Sequence, residues 1–401
     1  MRNNIPSAWS IQKFDDVCLK ITDGSHYSPK TKESGYDYIT VKDIGANGSI
    51  DFFHSKKISK DDYLMLVKNG CKPLKGDVLF SKDGTVGKVA FVNEDRNFVV
   101  LSSLAIIRPD QSILIPEYLK YLLASPSVLD GFIGLKAGAA IKRIVLKTIK
   151  NYRIPIAPLP DQRRIVNKLD SLFERIDKAI ALTELNVVRA EQLVTSVLND
   201  AYSDLDCDRV QIHFLVEKQT QINPVLSPTL TFTYIDISSI DKAIQVITDP
   251  NSFIGKDAPS RAKKAIRKGD IVFATTRPNL KNIAVVEEDY KNPVASTGLC
   301  VLKSIPEKID NRFLFFYLIS NKIQEQIVPF IRGAQYPAIS DKDLLNCTIP
   351  LPILKTQQAI TTYLSSMLKK QRALVESQKI RLVKLQTLKS SLLDAAFRGD
   401  I

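Results

Sequence analysis

The feature that most constrains this fold is that the chain is written twice. Arg153-Ile-Pro-Ile-Ala-Pro-Leu-Pro-Asp-Gln-Arg-Arg-Ile165 matches Thr348-Ile-Pro-Leu-Pro-Ile-Leu-Lys-Thr-Gln-Gln-Ala-Ile360 at an offset of 195 residues. The offset persists downstream, where Leu169 falls on Leu364, Val197-Leu198 on Leu392-Leu393 and Ala201-Tyr202 on Ala396-Phe397. It also persists upstream, for Gly138-Ala139 with Gly333-Ala334 and for Leu119 with Leu314. Lys75-Gly-Asp-Val-Leu-Phe80 matches Lys268-Gly-Asp-Ile-Val-Phe273 at 193, and Tyr38-Ile39 matches Tyr234-Ile235 at 196, as small insertions require. Self-similarity at a fixed period marks a repeated structural unit, so the 401 residues are two copies of one module.

Each module has an irregular front and a helical back. The fronts, 1–158 and 206–353, alternate β-branched and aromatic runs with Gly, Pro, Asn and Asp. Tyr38–Ile44, Val78–Phe80, Val89–Val92 and Val99–Ile107 read as short strands. Pro116–Leu123 and Asn311–Ile319 read as short amphipathic helices.

The backs, 159–205 and 354–401, carry an apolar stripe, with no Gly or Pro between Ile165 and Ala201 or between Ile360 and Ala396. From Ile165 the stripe runs through Leu169, Leu172, Ile176, Ile180, Thr183, Val187, Ala190, Val194, Val197 and Ala201. The offset carries it to Ile360, Leu364, Met367, Gln371, Val375, Gln378, Leu382, Leu385, Lys389, Leu392 and Ala396. Each predicts a continuous helix of about 38 residues, roughly 57 Å long, with a seam suited to helix pairing. The first back has net charge −2 and the second +6, which favours their pairing with each other. The order front, helix, front, helix then favours an antiparallel pair. The other possibility is that each helix packs only on its own front. The predicted fold class is α+β (mixed α/β) globular domains, two pseudo-repeats, joined by two long antiparallel coiled-coil-like helices.

Several functions are disfavoured at this level. Cys18, Cys71, Cys207, Cys300 and Cys347 are odd in number and scattered, with no CxxC pair, so they read as core residues and not as a disulfide framework or zinc site. His26, His54 and His213 lack ligand spacing, and no metal site is expected. Gly84-Thr-Val-Gly87-Lys88 has two residues between its glycines and Val89 after the lysine, so it fails as a phosphate-binding Walker loop. Asn292-Pro293 lacks the aromatic pair of an amino-methyltransferase pocket, and no GxSxG, HExxH or Cys/His pair occurs. The chain therefore reads as non-catalytic. No apolar run approaches the ~18–20 residues needed to cross a bilayer, and Met1–Trp9 lacks a signal-peptide core. A cytoplasmic protein with no membrane association is expected.

The net charge of +13 divides into +7 and +2 on the fronts and −2 and +6 on the helices. Basic residues such as Lys256, Arg261, Lys263, Lys264, Arg267 and Lys268 cluster as phosphate contacts do, although a solvated face gives the same pattern. Polar loops would have to read bases. In the first copy the candidates are Ser25, His26, Tyr27 and Lys30 in one loop, and Lys82, Thr85 and Lys88 in a Gly-rich segment that could equally be a simple hairpin. Lys142 and Arg143 lie near the end of that front. In the second copy the candidates are Thr275, Thr276, Arg277, Asn279 and Lys281, with Gln335 and Tyr336 further on. The loops differ between copies while the framework matches, so two modules could read two different half-sites.

Together, Ile21-Thr-Asp-Gly-Ser-His26 with Pro29, Lys75–Phe80 followed by Asp83-Gly-Thr, the two Ile-Pro-x-x-x-Leu-x-x-Gln junctions and Ala396-Phe-Arg-Gly-Asp400 resemble signatures of the specificity subunit of type I restriction–modification systems. The resemblance spans the chain. It implies that 1–158 and 206–353 are target recognition domains and that 159–205 and 354–401 are spacer helices. It also implies binding to double-stranded DNA at a bipartite asymmetric site, to two methyltransferase subunits and to motor–nuclease subunits. The assembled complex would methylate adenine and cleave unmodified DNA, with S-adenosylmethionine, ATP and Mg held by the partner subunits and no cofactor in this chain. Candidate spacer or partner contacts are Gln162, Ile165, Leu169, Leu172, Ile176, Gln357, Ile360, Leu364, Leu382, Leu385 and Phe397. Two departures stand out: Thr356-Gln357 replaces the usual acidic-Gln pair, and Arg277-Pro-Asn stands where the first copy has its Gly84/Gly87 loop. The alternative is a duplicated coiled-coil scaffold that binds other proteins without reading DNA.

Overall fold

A computed structural model of the chain describes residues 6–45, 47–134, 143–203 and 205–401. Lys142 and Gly138-Ala139 lie outside the described residues. The chain forms two units, residues 1–183 with 380–401, and residues 184–379. Each unit thus takes part of both long helices.

In the first unit the four-stranded sheet runs in the order Cys18–Asp23, Leu104–Pro109, Val78–Ser81, Val89–Phe91. Val78–Ser81 is buried at every position, and its pleat feeds two cores: Val78 and Phe80 face one cluster, Leu79 the other. The second unit repeats this arrangement. Ile271–Ala274 lies between Ile283–Val285 and Leu299–Leu302, with Ile271 and Phe273 in one core and Val272 and Ala274 in another. The registers correspond as the sequence repeat requires, Val78 opposite Ile107 and Ile271 opposite Leu302.

A second sheet in each unit contains a parallel pair, Tyr36–Ile39 beside Phe98–Val100 and Thr231–Ile235 beside Val294–Ser296. The expected strand Tyr38–Ile44 ends early because Thr40 caps a 3-10 turn at Val41–Asp43, and the expected Val99–Ile107 divides at the turn Leu101–Ser103.

The repeated Lys-Gly-Asp motif is a structural corner. Gly76 and Gly269 adopt φ of +91° and +93°, conformations that a side chain would strain. The Asp77 carboxylate is fully buried, accepts from Leu74 N–H and receives a bidentate Arg108 guanidinium at 2.7 and 2.8 Å. Its counterpart Asp270 accepts from Arg267 N–H, with burial pushing its carboxyl above the usual range.

The short helices Pro116–Ala124 and Asn311–Ile319 lie close to the expected spans. Pro116–Ala124 is amphipathic as expected, with Glu117, Lys120 and Ala124 on its less buried face. Asn311–Ile319 is not: Phe313 to Ile319 are all buried, so that helix is enclosed on every side.

The long helices span Leu159–Asp200, 42 residues, and Leu354–Arg398, 45 residues. The first starts earlier than its apolar stripe because Pro160 falls in the first turn, where a missing N–H costs nothing. Just before each helix the Pro-rich junction is a strand: Arg153–Ile156 pairs with Ser10–Lys13, and Thr348–Pro350 with Arg209–Gln211.

Every stripe residue predicted on either helix is buried or half-buried. Within the first unit, Ile165, Leu169, Phe173 and Ile176 share a core with Leu393, Ala396 and Phe397, and each fully buried aliphatic contributes roughly 1.5–3 kcal/mol. Lys389 Nζ lies 2.8 Å from the Asp177 carboxylate. Within the second unit, Leu198 and Tyr202 share a core with Leu364, and Tyr202 Oη donates to Phe313 O. The start of one helix therefore packs with the end of the other in each unit, which makes the pair antiparallel. The helices therefore pair with each other, and their ends also pack on the fronts, so the possibility that each packs only on its own front does not hold.

Candidate nucleic-acid interface

In the first unit the candidate loops follow the edge strand Cys18–Asp23 and the central strand Val78–Ser81. Gly24 lets the chain pass so close to the sheet that a Cβ would sit 2.2 Å from Val100 O. His26, Tyr27 and Lys30 then emerge exposed, with His26 Nε2 3.3 Å from Asp23. The segment after Val78–Ser81 exposes Thr85, and an isolated bridge joins Asp83 to Arg143. Arg143 is exposed, 3.6 Å from the Asp83 carboxylate.

Several residues expected to touch DNA are instead occupied inside the fold. Ser25 Oγ donates to Tyr27 O and accepts from Tyr27 N–H, closing its own turn. Lys82 is 1% exposed and 3.3 Å from Asp23. Lys88 Nζ donates to Val41 O and Ile44 O. Lys264 is buried, donating to Leu299 O and pairing with Asp341. Thr275 is buried with its hydroxyl on Gly298 O. Lys281 Nζ donates to Ile319 O and Asn321 Oδ1, and burial lowers its pKa from the ordinary lysine value. Lys88, Lys264, Thr275 and Lys281 thus donate to backbone carbonyls, which need hydrogen-bond partners inside a fold. Sequence composition cannot distinguish such a staple from a free cation.

In the second unit the candidates converge. Thr276 and Arg332 each bridge to Ala338, drawing the loop after Ile271–Ala274 against residues 332–338. Arg261, Thr276, Arg277, Asn282 and Tyr336 line a cleft of about 520 Å³ together with Leu280. Arg277, Asn279, Gln335, Tyr336, Lys256 and Arg261 are exposed. Lys263 Nζ is held 2.9 Å from Asn223 Oδ1. Sequence reasoning passed over Arg332, which is exposed near Asp343 at 3.7 Å. Its place beside the repeated Gly333-Ala334 was the available signal.

The candidate spacer or partner contacts lie partly inside the units. Gln162 and Gln357 are buried and bind their own units. Gln162 Oε1 accepts from Ile115 N–H, and Nε2 donates to Ile113 O and Ala157 O. Gln357 repeats this with Asp310 N–H and Pro352 O. Ile165, Leu169, Ile176, Leu364 and Phe397 are buried in their own cores, whereas Leu172, Ile360, Leu382 and Leu385 are half-buried. Among the described residues no His/Cys/Asp/Glu group could hold a metal, and no helix is long and apolar enough to cross a membrane.

Two units built on one frame, each presenting a different polar loop cluster at the ends of its sheet strands, define a duplicated recognition protein. The model of the type I restriction modification DNA specificity domain matches residues 6–186 and 230–385, and the chain belongs to that family. It is 24% identical, over 99% of its length and 94% of the relative's, to the putative type I restriction enzyme MjaX specificity subunit of Methanocaldococcus jannaschii. A 29% identity to the EcoBI specificity subunit of Escherichia coli covers 42% of this chain and 35% of that one. Among solved structures, a chain from work on complex assembly and conformational transition of the type I R–M system superposes with a TM-score of 0.76 at 22% identity, covering 100% of both. The HsdS subunit of Thermoanaerobacter tengcongensis superposes at 0.60 and 22% identity, covering 100% of this chain and 99% of that one. These likenesses bear on the fold.

Proposed function

We propose that each unit reads one half of a split DNA sequence and that the chain brings methyltransferase and motor–nuclease subunits to that sequence in the cytoplasm. The observation that carries this reading is the second unit's cleft, where Arg261, Arg277 and Tyr336 converge from distant parts of the sequence on a frame shared with the first unit. The first unit carries His26, Tyr27, Lys30 and Thr85 on the matching frame, a different chemistry and hence a different half-site. The long helices supply the gap between the halves. Their exposed apolar residues, among them Leu182, Val188, Leu193 and Val383, suit partner-subunit contacts. In this reading the partner subunits hold S-adenosylmethionine, ATP and Mg, and the complex methylates adenine and cleaves unmodified DNA.

The test is a gel shift of the chain with its methyltransferase subunits on duplex DNA across a salt titration. Affinity should fall steeply with salt on any duplex, with additional affinity for one sequence class. Binding that ignores both salt and sequence contradicts the proposal and favours a protein scaffold.

A further inference from the structure

We propose that Arg277, backed by the Tyr336 ring, reads a guanine in the half-site of the second unit. This rests on the functional reading above and specifies the base.

The backbone comes first. Arg277 sits at φ 50°, ψ 55° and Lys281 at φ 52°, ψ 41°, two left-handed residues that are not glycine, bracketing the turn Pro278–Leu280. Such conformations are costly and persist only where the surroundings impose them, as at binding sites. Here Arg277 N–H donates to Pro337 O at 2.7 Å, Leu280 N–H donates to Arg277 O at 2.9 Å, and the Lys281 ammonium is tied to Ile319 O and Asn321. Pro278 is buried beneath the turn. This network fixes where the Arg277 side chain leaves the surface.

The side chain is exposed, and among the described residues no carboxylate pairs with it. Arg261, which lines the same cleft, shares with Arg277 the lack of a carboxylate partner among the described residues. Arg332 on the adjoining segment lies near Asp343, and elsewhere in the unit Arg267 lies on Glu217 and Asp270 and Arg312 on Glu287. The Arg277 guanidinium carbon instead lies 5.4 Å from the centroid of the Tyr336 ring, itself 65% exposed. An aromatic face holds the guanidinium without consuming its donors.

A guanidinium offers parallel donors and no acceptor. In the major groove only guanine presents two adjacent acceptors, N7 and O6; adenine sets an amino donor beside N7, cytosine presents a donor, and thymine a single acceptor. A fork of fixed origin, oriented by a ring and free of acids, is matched to guanine. A phosphate contact would need neither the ring nor the fixed turn.

The experiment uses the chain assembled with its methyltransferase subunits and duplexes carrying its recognised sequence. Each guanine in turn is replaced by 7-deazaguanine, which keeps base pairing and removes the N7 acceptor. At one guanine, in one half only, wild-type binding should fall about tenfold to a hundredfold. The Arg277→Ala complex should lose a similar factor on the unmodified duplex and show no further loss on the 7-deaza duplex. Arg277→Lys should keep the thermal midpoint and the salt slope of wild type without restoring guanine discrimination, and Tyr336→Leu should reduce discrimination. The inference is overturned if Arg277→Ala weakens all duplexes equally with a salt slope smaller by about one, if it stays as sensitive to 7-deazaguanine as wild type, or if no guanine substitution matters. A wild-type complex without sequence preference would overturn the functional reading itself, and this inference with it.

Discussion

Replacing Gln162 with alanine removes a side chain that is fully buried and makes three hydrogen bonds of 2.8 Å, to Ile115 N–H, Ile113 O and Ala157 O. A net hydrogen bond contributes about 0.5–1.5 kcal/mol, and a buried N–H left without an acceptor costs roughly 1–3 kcal/mol. The three bonds together, with the Ile115 donor stranded, give a loss of about 3–4 kcal/mol. Equilibrium urea unfolding of the full chain measures it, with Gln357→Ala as the matched change in the second unit. Gln357 makes two short bonds, to Asp310 N–H and Pro352 O, and a third at 3.5 Å to Lys308 O, so its loss should be somewhat smaller. If Gln162→Ala shifts stability by less than about 1 kcal/mol while abolishing binding of the methyltransferase subunits, the residue is a partner contact and the staple argument fails.

Two further outcomes are expected. Burial raises the Asp37 carboxyl pKa, but hydrogen bonds from Lys57 and Ser55 and the charges of Lys57 and Arg96 outweigh it and hold the group below its ordinary value of 3.8. A carboxyl depressed in the folded state adds stability above its unfolded pKa and loses it as pH falls through the folded value. The denaturant midpoints of wild type and Asp37→Asn should therefore stay well separated at neutral pH and converge below about pH 4; a constant separation into strong acid contradicts this. Inserting four residues into both long helices adds about 6 Å of helix, so sequencing of the methylated DNA should show a gap longer by about two base pairs, and an unchanged gap would show that the helices do not set it.

What was legible in the sequence follows physical rules. The long helices could be read because an apolar stripe without internal Gly or Pro permits little else, and all of its residues are buried or half-buried. The repeat could be read because corner residues recur: Gly76 and Gly269 need positive φ, and Asp77 and Asp270 cap the same turn. Which lysines face water could not be read. Thr85 and Lys82 stand three residues apart in one loop, yet the first is exposed and the second buried against Asp23. That difference comes from strand pairing across the unit, which composition does not encode. The glutamines misled for a related reason, since a residue recurring at a junction serves equally well as a staple or as a contact. The convergence of Arg277 with Tyr336 required the bridge between Thr276 and Ala338, a long-range pairing.

The central claim is that two units on one frame read two separate halves of a DNA sequence. The measurement that tests it most directly is single-molecule sequencing of random DNA methylated by the chain assembled with its methyltransferase subunits. Two short defined blocks of different sequence, separated by a gap of fixed length and undefined sequence, are predicted. A single contiguous block, or modification without any motif, would contradict the account.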